Sequence, residues 1–208
     1  MRSTLHSRAE DGRRLPLLVW RFDDERTVAS TASVAGGLGS RYWVINAQVA
    51  IDYSRRDQDQ HGAELAASVG LSGAGVVMFT ATDVARCHHA EDGGAVVEAT
   101  VGLTLPTWAA APDDADAVLR PGTINIVVTL PVRLSAAALL NALCTATEAK
   151  TQALLAAGVP GTGTASDAVT VVCPPTGPEE QFGGPRSVWG ARLARAVHDA
   201  VLAGAAEA

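Results

Sequence analysis

The chain has 208 residues, 48% of them apolar, and a formal charge of −6. That length and apolar content suit a single domain with a sizeable core. The acidity, with no basic cluster interleaved with aromatics, excludes nonspecific nucleic-acid binding, and no apolar run approaches the ~20 residues that cross a bilayer.

Residues 1–14, MRSTLHSRAEDGRR, are polar and lack the apolar core of a secretion signal. They read as a flexible segment before the folded part. Leu15–Phe22 and Arg26–Thr31 read as strands joined by a turn at Asp23-Asp24-Glu25. The small-residue segment ASTASVAGGLG follows, and its glycines Gly36, Gly37 and Gly39 are candidates for close backbone approach to a ligand or an oxyanion. Arg41–Ile51 alternates as a strand, and Asn46 in its middle needs hydrogen-bond partners if buried. His61–Val69 reads as a helix stopped by Gly70, Gly75–Thr80 as a buried strand, and Thr82–Arg86 as a short helix with Asp83 near its N-terminus. Cys87-His88-His89 sits beyond it without HxxxH or CxxC spacing, so no metal site is expected. Three scattered cysteines, Cys87, Cys144 and Cys173, predict free thiols and a cytoplasmic setting. A hairpin turn at Glu91–Gly94 leads into a strand from Ala95 to Leu103, and Pro106–Arg120 reads as an exposed loop.

The most informative stretch runs from Pro121 to Cys173. Ile124, Ile126, Val128 and Leu130 alternate with Thr123, Asn125, Val127 and Thr129, the period of a strand. Ser135 is suited to cap a helix that ends near Ala157, where Gly158 and Pro160 stop it. At 100° per residue, Leu139, Leu140, Leu143, Thr147, Lys150 and Leu154 share one arc, with Glu148 on the opposite side. Lys150 is the only lysine among sixteen basic residues. Where arginine is favoured for charge, a retained lysine points to a role that needs a compact ammonium or an amine. The loop PGTGTASD then offers hydroxyls at Thr164 and Ser166, the flexible backbone of Gly163 and the carboxylate of Asp167. Ala168–Cys173 is a strand, Pro174–Gly184 a loop, and Pro185–Leu202 a final helix with Trp189, Leu193, Val197 and Val201 as its buried stripe. Strands in runs with three or four helices argue α+β: mixed β-sheets packed with a long central helix and a C-terminal helix, for which αββα layering is one arrangement.

The blocks GGLGSRYWVINAQVAIDY, MFTATDV, VEATVGLT, PGTINIVV, LLNALCTATEAKTQAL, GTGTASDAVTVVCP and FGGPRSVWGARLARAV resemble, in this order, the adenosylcobinamide amidohydrolases, the CbiZ family of corrinoid salvage. The likeness runs from about Thr27 to Ala203 and leaves residues 1–14 outside a single amidohydrolase-like domain at 15–208. It implies cleavage of the amide joining the aminopropanol arm to the corrin side chain of adenosylcobinamide, giving adenosylcobyric acid, with some members acting on cobamides such as pseudocobalamin. The cobalt corrinoid is then substrate, with no cofactor of the protein's own, and a homo-oligomer is compatible with the sequence. The strand–helix–loop–strand order of the central stretch is also similar to the DmpA-type aminopeptidases and ornithine acetyltransferases, which use a Ser or Thr nucleophile. The Asn-Gly-Ser cleavage site of those enzymes has no match here.

Amide hydrolysis needs a nucleophile, oxyanion donors and an acid for the leaving amine. The catalytic candidates are Glu148, Lys150, Thr164, Ser166 and Asp167. Thr164 or Ser166 serves as nucleophile with Lys150 as base or acid, or Glu148 or Asp167 activates water. The substrate-binding candidates are Gly36, Gly37, Gly39, Asn46, Asp83, Asn125 and Gly163. The rival class is a corrinoid-binding protein without catalysis.

Overall fold

The computed structural model describes residues 1–112 and 122–208. In chain order these form β1 (Thr4–Glu10), β2 (Arg13–Ser30), β3 (Gly37–Gln48), α1 (Gln58–Ser68), β4 (Gly75–Thr80), β5 (Cys87–Asp92), β6 (Ala95–Val101), β7 (Ile124–Thr129), β8 (Arg133–Leu134), α2 (Ala136–Ala156), β9 (Ala168–Cys173), β10 (Glu179–Glu180) and α3 (Val188–Ala205). Asp113, Asp114 and Asp116, in the expected exposed loop, lie outside the described residues.

The principal sheet has the order β4-β3-β2-β9-β7-β6-β5, with β1 beside β2. The β3–β4 and β7–β9 pairs are parallel. The other pairs on this path are antiparallel. Strand β2 is the joint. At 18 residues it is about three times the common strand length. Its first half pairs with β1 and its last four residues pair with β9 on that same edge. The other edge carries β3 throughout, with a register shift between Arg21 and Arg26. Asp23, Asp24 and Glu25, expected as a turn between two strands, are an exposed irregularity inside one strand. Their charges reach water while the flanking Phe22 and Val28 stay buried.

The two halves of the sheet fold onto each other. Leu18, Trp20, Val44, Val76 and Met78 meet Val127, Ala168 and Val172 in an inner core. Helix α1 covers the outer face of β2-β3-β4 through Leu65 and Ala66 against Val19, Ile45 and Val77. Helices α2 and α3 cover the other outer face, on Val97, Ile126 and Val171. The result is the α+β class in αββα layers. Polar ties cross the inner core. Trp20 Nε1 donates to Glu98 at 2.6 Å, Asn46 Nδ2 to Thr100 Oγ1 at 2.9 Å, and Asn125 Nδ2 to Asn46 Oδ1 at 2.8 Å.

Three local expectations change. Residues 1–14 contain β1, and Ser3 donates through both N and Oγ to the buried Glu98. The strand escaped notice because its side chains are mostly exposed or half-buried, so it lacks a strong apolar period. Thr82–Arg86 is a turn tied by Asp83 Oδ1 accepting from Ala85 N at 3.0 Å, because β5 starts at once after it. Cys87, His88 and His89 therefore alternate along a strand. On α2, Leu140 and Thr147 are exposed, and the buried face is made largely of Ala138, Ala142, Ala146, Ala149 and Ala153 with Leu139, Lys150 and Leu154. Small side chains let neighbouring backbone approach: a Cβ at Gly183 would strike the Ala138 carbonyl. The three cysteines are free. Burial, with the Glu98 charge adding to it, pushes the Cys87 thiol up to about 12.

Candidate active site

Helix α2 begins at Ser135, whose side chain accepts from Ala138 N. It stops where expected, with Gly158 turning the chain at φ +73°. The chain then folds back beneath the end of α2 and enters β9. Thr107 straps this return loop: its N–H donates to Gly163 O and its carbonyl accepts from Thr162 N, both at 2.8 Å. The loop is thereby held against both α2 and the segment after β6.

Lys150 points from the buried face of α2 into this loop, where its Nζ donates to Asp167 Oδ2. The two side chains are 7% and 10% exposed. Asp167 takes three further donors: Thr164 N at 3.1 Å, Thr164 Oγ1 at 2.5 Å and Ile124 N at 2.9 Å. A buried ion pair survives only when its remaining lone pairs are filled in this way. The backbone of Gly163 passes over the pair so closely that a Cβ would collide with both Asp167 Oδ2 and Lys150 Nζ. Next along the loop, exposed Ser166 shares a hydrogen bond between its Oγ and Thr123 Oγ1 at 2.9 Å.

Ala165, Ser166 and Asp167 form one wall of a cleft of about 500 Å³. Its other walls are Thr31 and Ser33 after β2, Val49–Ile51 and Tyr53 after β3, Met78–Ala81 at the end of β4, and Thr123 before β7. The parallel strands β3 and β4 point their C-terminal ends at it. Among the described residues, the amide N–H groups of Ala165 and Ser166 make no hydrogen bond. The arrangement thus places a fixed ion pair under a loop whose Ala165 and Ser166 line a cleft and carry, among the described residues, two unpaired N–H groups and a hydroxyl.

Of the residues singled out in the sequence, the fold gathers Lys150, Gly163, Thr164, Ser166 and Asp167. Asn46 and Asn125 meet each other in the inner core beneath the cleft, and both are 1% exposed. Among the described residues, Asn125 Oδ1 has no hydrogen-bond partner. Gly36, Gly37 and Gly39 lie at the β2–β3 turn and the start of β3, outside the cleft lining. Their conformation answers local needs: a Cβ at Gly36 would strike Ala32 O, and Gly37 has φ +84°. Asp83 is exposed in the β4–β5 turn. Glu148 stands exposed on α2, on the side opposite Lys150, and makes no hydrogen bond among the described residues. It stands apart from the cleft lining and from the ion pair. Glu148→Gln is expected to keep turnover within about threefold of the unaltered protein, as surface substitutions do. A loss of 10²-fold, in the range of general acid–base contributions, would return Glu148 to the reaction.

Two cleft residues escaped the sequence reading. Thr123 has no signal beyond its position before a strand. Tyr53 lies within the block ending IDY, whose spacing carried no chemical meaning by itself.

The family model of the adenosylcobinamide amidohydrolases, CbiZ, matches residues 2–208. The chain belongs to this family. The match takes in β1, which the resemblance read from the sequence had left outside. The chain is 29% identical over 185 residues to the adenosylcobinamide amidohydrolase of Methanosarcina mazei, covering 85% of this chain and 88% of that one. It is 41% identical over 128 residues to the adenosylcobinamide amidohydrolase of Halobacterium salinarum, covering 58% of this chain. That second match spans about half of the relative, 52% of its length. Both relatives of this CbiZ-family chain carry the name of a hydrolase acting on an amide bond. No helix among the described residues is long and apolar enough to cross a membrane.

Proposed function

We propose that this chain hydrolyses the amide that carries the aminopropanol arm of adenosylcobinamide, releasing adenosylcobyric acid, and that it accepts adenosylated cobamides such as pseudocobalamin. The observation that carries this reading is the meeting of the only lysine with Asp167 beneath the cleft loop, in a chain of this family. The corrinoid is substrate, and the reaction draws on side chains and backbone alone.

The amide carbonyl sits over the Ala165–Ser166 turn, where the two unpaired N–H groups meet the developing oxyanion. The ammonium of Lys150, fixed by Asp167, adds positive charge from below. In a site screened from water such charge is worth more than at the surface. Asp167 is a weak choice for the base, since all its donors are already in place. Thr164 gives its hydroxyl hydrogen to Asp167, whereas the Ser166 hydroxyl opens onto the cleft. Exposure therefore favours Ser166 as the attacking oxygen: the bond from its Oγ to the carbonyl carbon replaces the C–N bond, the hydroxyl hydrogen departs on the released amine, and water then cleaves the acyl-enzyme to the acid and free Ser166.

The test incubates the protein with adenosylcobinamide and follows adenosylcobyric acid by mass spectrometry. Both product formation and a transient acyl adduct on Ser166 are expected. Product without an adduct would favour attack by water directly. Binding without product would make the chain a corrinoid-binding protein.

A further inference from the structure

A second network borders the same cleft. Tyr53 Oη lies 2.9 Å from His61 Nδ1. His61 Nε2 lies 3.3 Å from Glu10 Oε1. Glu10 is in turn gripped by Arg8, whose Nε donates to Oε2 at 2.7 Å and whose Nη2 reaches Gln48 O at 2.8 Å. The imidazole is 2% exposed and stacks on Phe79, with ring centroids 5.2 Å apart. Tyr53 and Phe79 both line the cleft. The network joins β1, the β3–α1 loop and α1, three elements with little else in common. A buried histidine wedged between a carboxylate and a phenol, with the phenol at the cleft wall, is more than the packing of α1 requires.

The carboxylate fixes the tautomer. With Nε2–H turned to Glu10, Nδ1 carries the lone pair and accepts the Tyr53 hydroxyl hydrogen. Burial holds the Tyr53 hydroxyl above the ordinary phenol range and the His61 imidazole below its own, so both are neutral near pH 7. The hydrogen of Tyr53 is thus committed inward, which leaves its oxygen able to act only as an acceptor at the wall that Tyr53 gives to the cleft.

We propose that Tyr53 is a substrate-positioning acceptor that takes a hydrogen bond from a carboxamide N–H of the bound substrate, with His61 and Glu10 as positioning residues that keep its hydroxyl hydrogen turned away. This rests on the amide-substrate reading above and adds a specificity element to it. Groups that can only accept, such as carboxylates, are disfavoured at this wall. An N–H is recognised there because leaving it unmatched would strand a desolvated acceptor.

Tyr53→Phe keeps the ring on Phe79 and His61 and removes only the oxygen. With adenosylcobinamide as the probe, KM is expected to rise about tenfold, the worth of one ordinary hydrogen bond, with kcat within about threefold. A direct readout needs no variant in the network. The chain has two tyrosines, so tyrosine labelled with ¹³C at Cζ gives two resonances, assigned with Tyr42→Phe. The Tyr53 signal is expected to move on adding adenosylcobinamide to a slow Lys150→Arg protein, while that of Tyr42 stays still. An unchanged KM in Tyr53→Phe, or an unmoved Tyr53 signal in a protein that binds the probe, overturns the proposal. Failure of the unaltered protein to bind adenosylcobinamide at all would overturn the substrate reading and this proposal with it.

Discussion

Replacing Lys150 with arginine is expected to lower kcat/KM by on the order of 10²-fold or more in a protein that still folds. The substitution keeps a positive charge, so an effect of that size cannot come from charge alone. The ammonium is a compact donor, buried to 7% exposure and seated beside a backbone that tolerates no Cβ at Gly163. A guanidinium is planar, wider and longer. It can reach Asp167 only by pushing the Gly163–Asp167 loop outward, and that loop carries Ser166 and the unpaired N–H groups. A shift of about 1 Å at reacting atoms is enough to cost 10²-fold. The measurement pairs steady-state kinetics with a thermal melt and corrinoid binding. Full activity in a folded Lys150→Arg protein would remove Lys150 from the reaction, and loss of the fold would make it a structural residue.

Asp167→Asn is expected to do more, because it strikes stability as well as turnover. Each carboxylate oxygen of Asp167 accepts two hydrogen bonds: Oδ1 from Ile124 N and Thr164 Oγ1, Oδ2 from Lys150 Nζ and Thr164 N. An asparagine has one oxygen. Whichever way its amide turns, an NH₂ faces two donors, and the Lys150 charge loses its counter-ion. Breaking one side of a buried pair costs about 3–5 kcal/mol. In a chain of this length that lowers the melting temperature by on the order of 10 °C, and activity should fall below that of Lys150→Arg. Calorimetry and the mass-spectrometric assay together check this. A protein that melts normally and turns over within tenfold of the original would show the four-donor carboxylate to be dispensable.

Much of this site could be read from the chain because its determinants are local. The period of two in Ile124–Thr129, the cap at Ser135 and the stop at Gly158 fix where α2 begins and ends, and so place Lys150 against its loop. The lysine itself stood out by rarity. What stayed hidden depends on contacts between distant residues. Hydropathy assigned the buried face of α2 to leucines, but alanines line it, because close approach by Gly183 and α3 rewards small side chains. The charged triplet Asp23–Glu25 reads as a turn in any local window, yet long-range pairing on both edges carries β2 through it. Thr123 acquires meaning only when β7 and β9 pair and bring Ser166 to it. The Glu10–His61–Tyr53 chain was hidden for the same reason: Glu10 sits on a strand whose polar alternation resembles disorder.

The scarcity of lysine has a practical corollary. Lys150 carries the only ε-amine in the chain, and its nitrogen is sealed against Asp167. Acylating reagents in the native state should modify the N-terminal amine freely and reach Lys150 only during transient local opening. If opening costs about 4 kcal/mol, acylation of Lys150 runs roughly 10³-fold slower than in the unfolded chain. The rate at that one residue, read by intact mass, therefore acts as a clock for breathing of the Gly163–Asp167 loop, without interference from any other side-chain amine. A bound corrinoid that holds the loop shut should slow the clock further, whereas labelling of Lys150 as fast as the N-terminus would mean that the ion pair does not close the site at all.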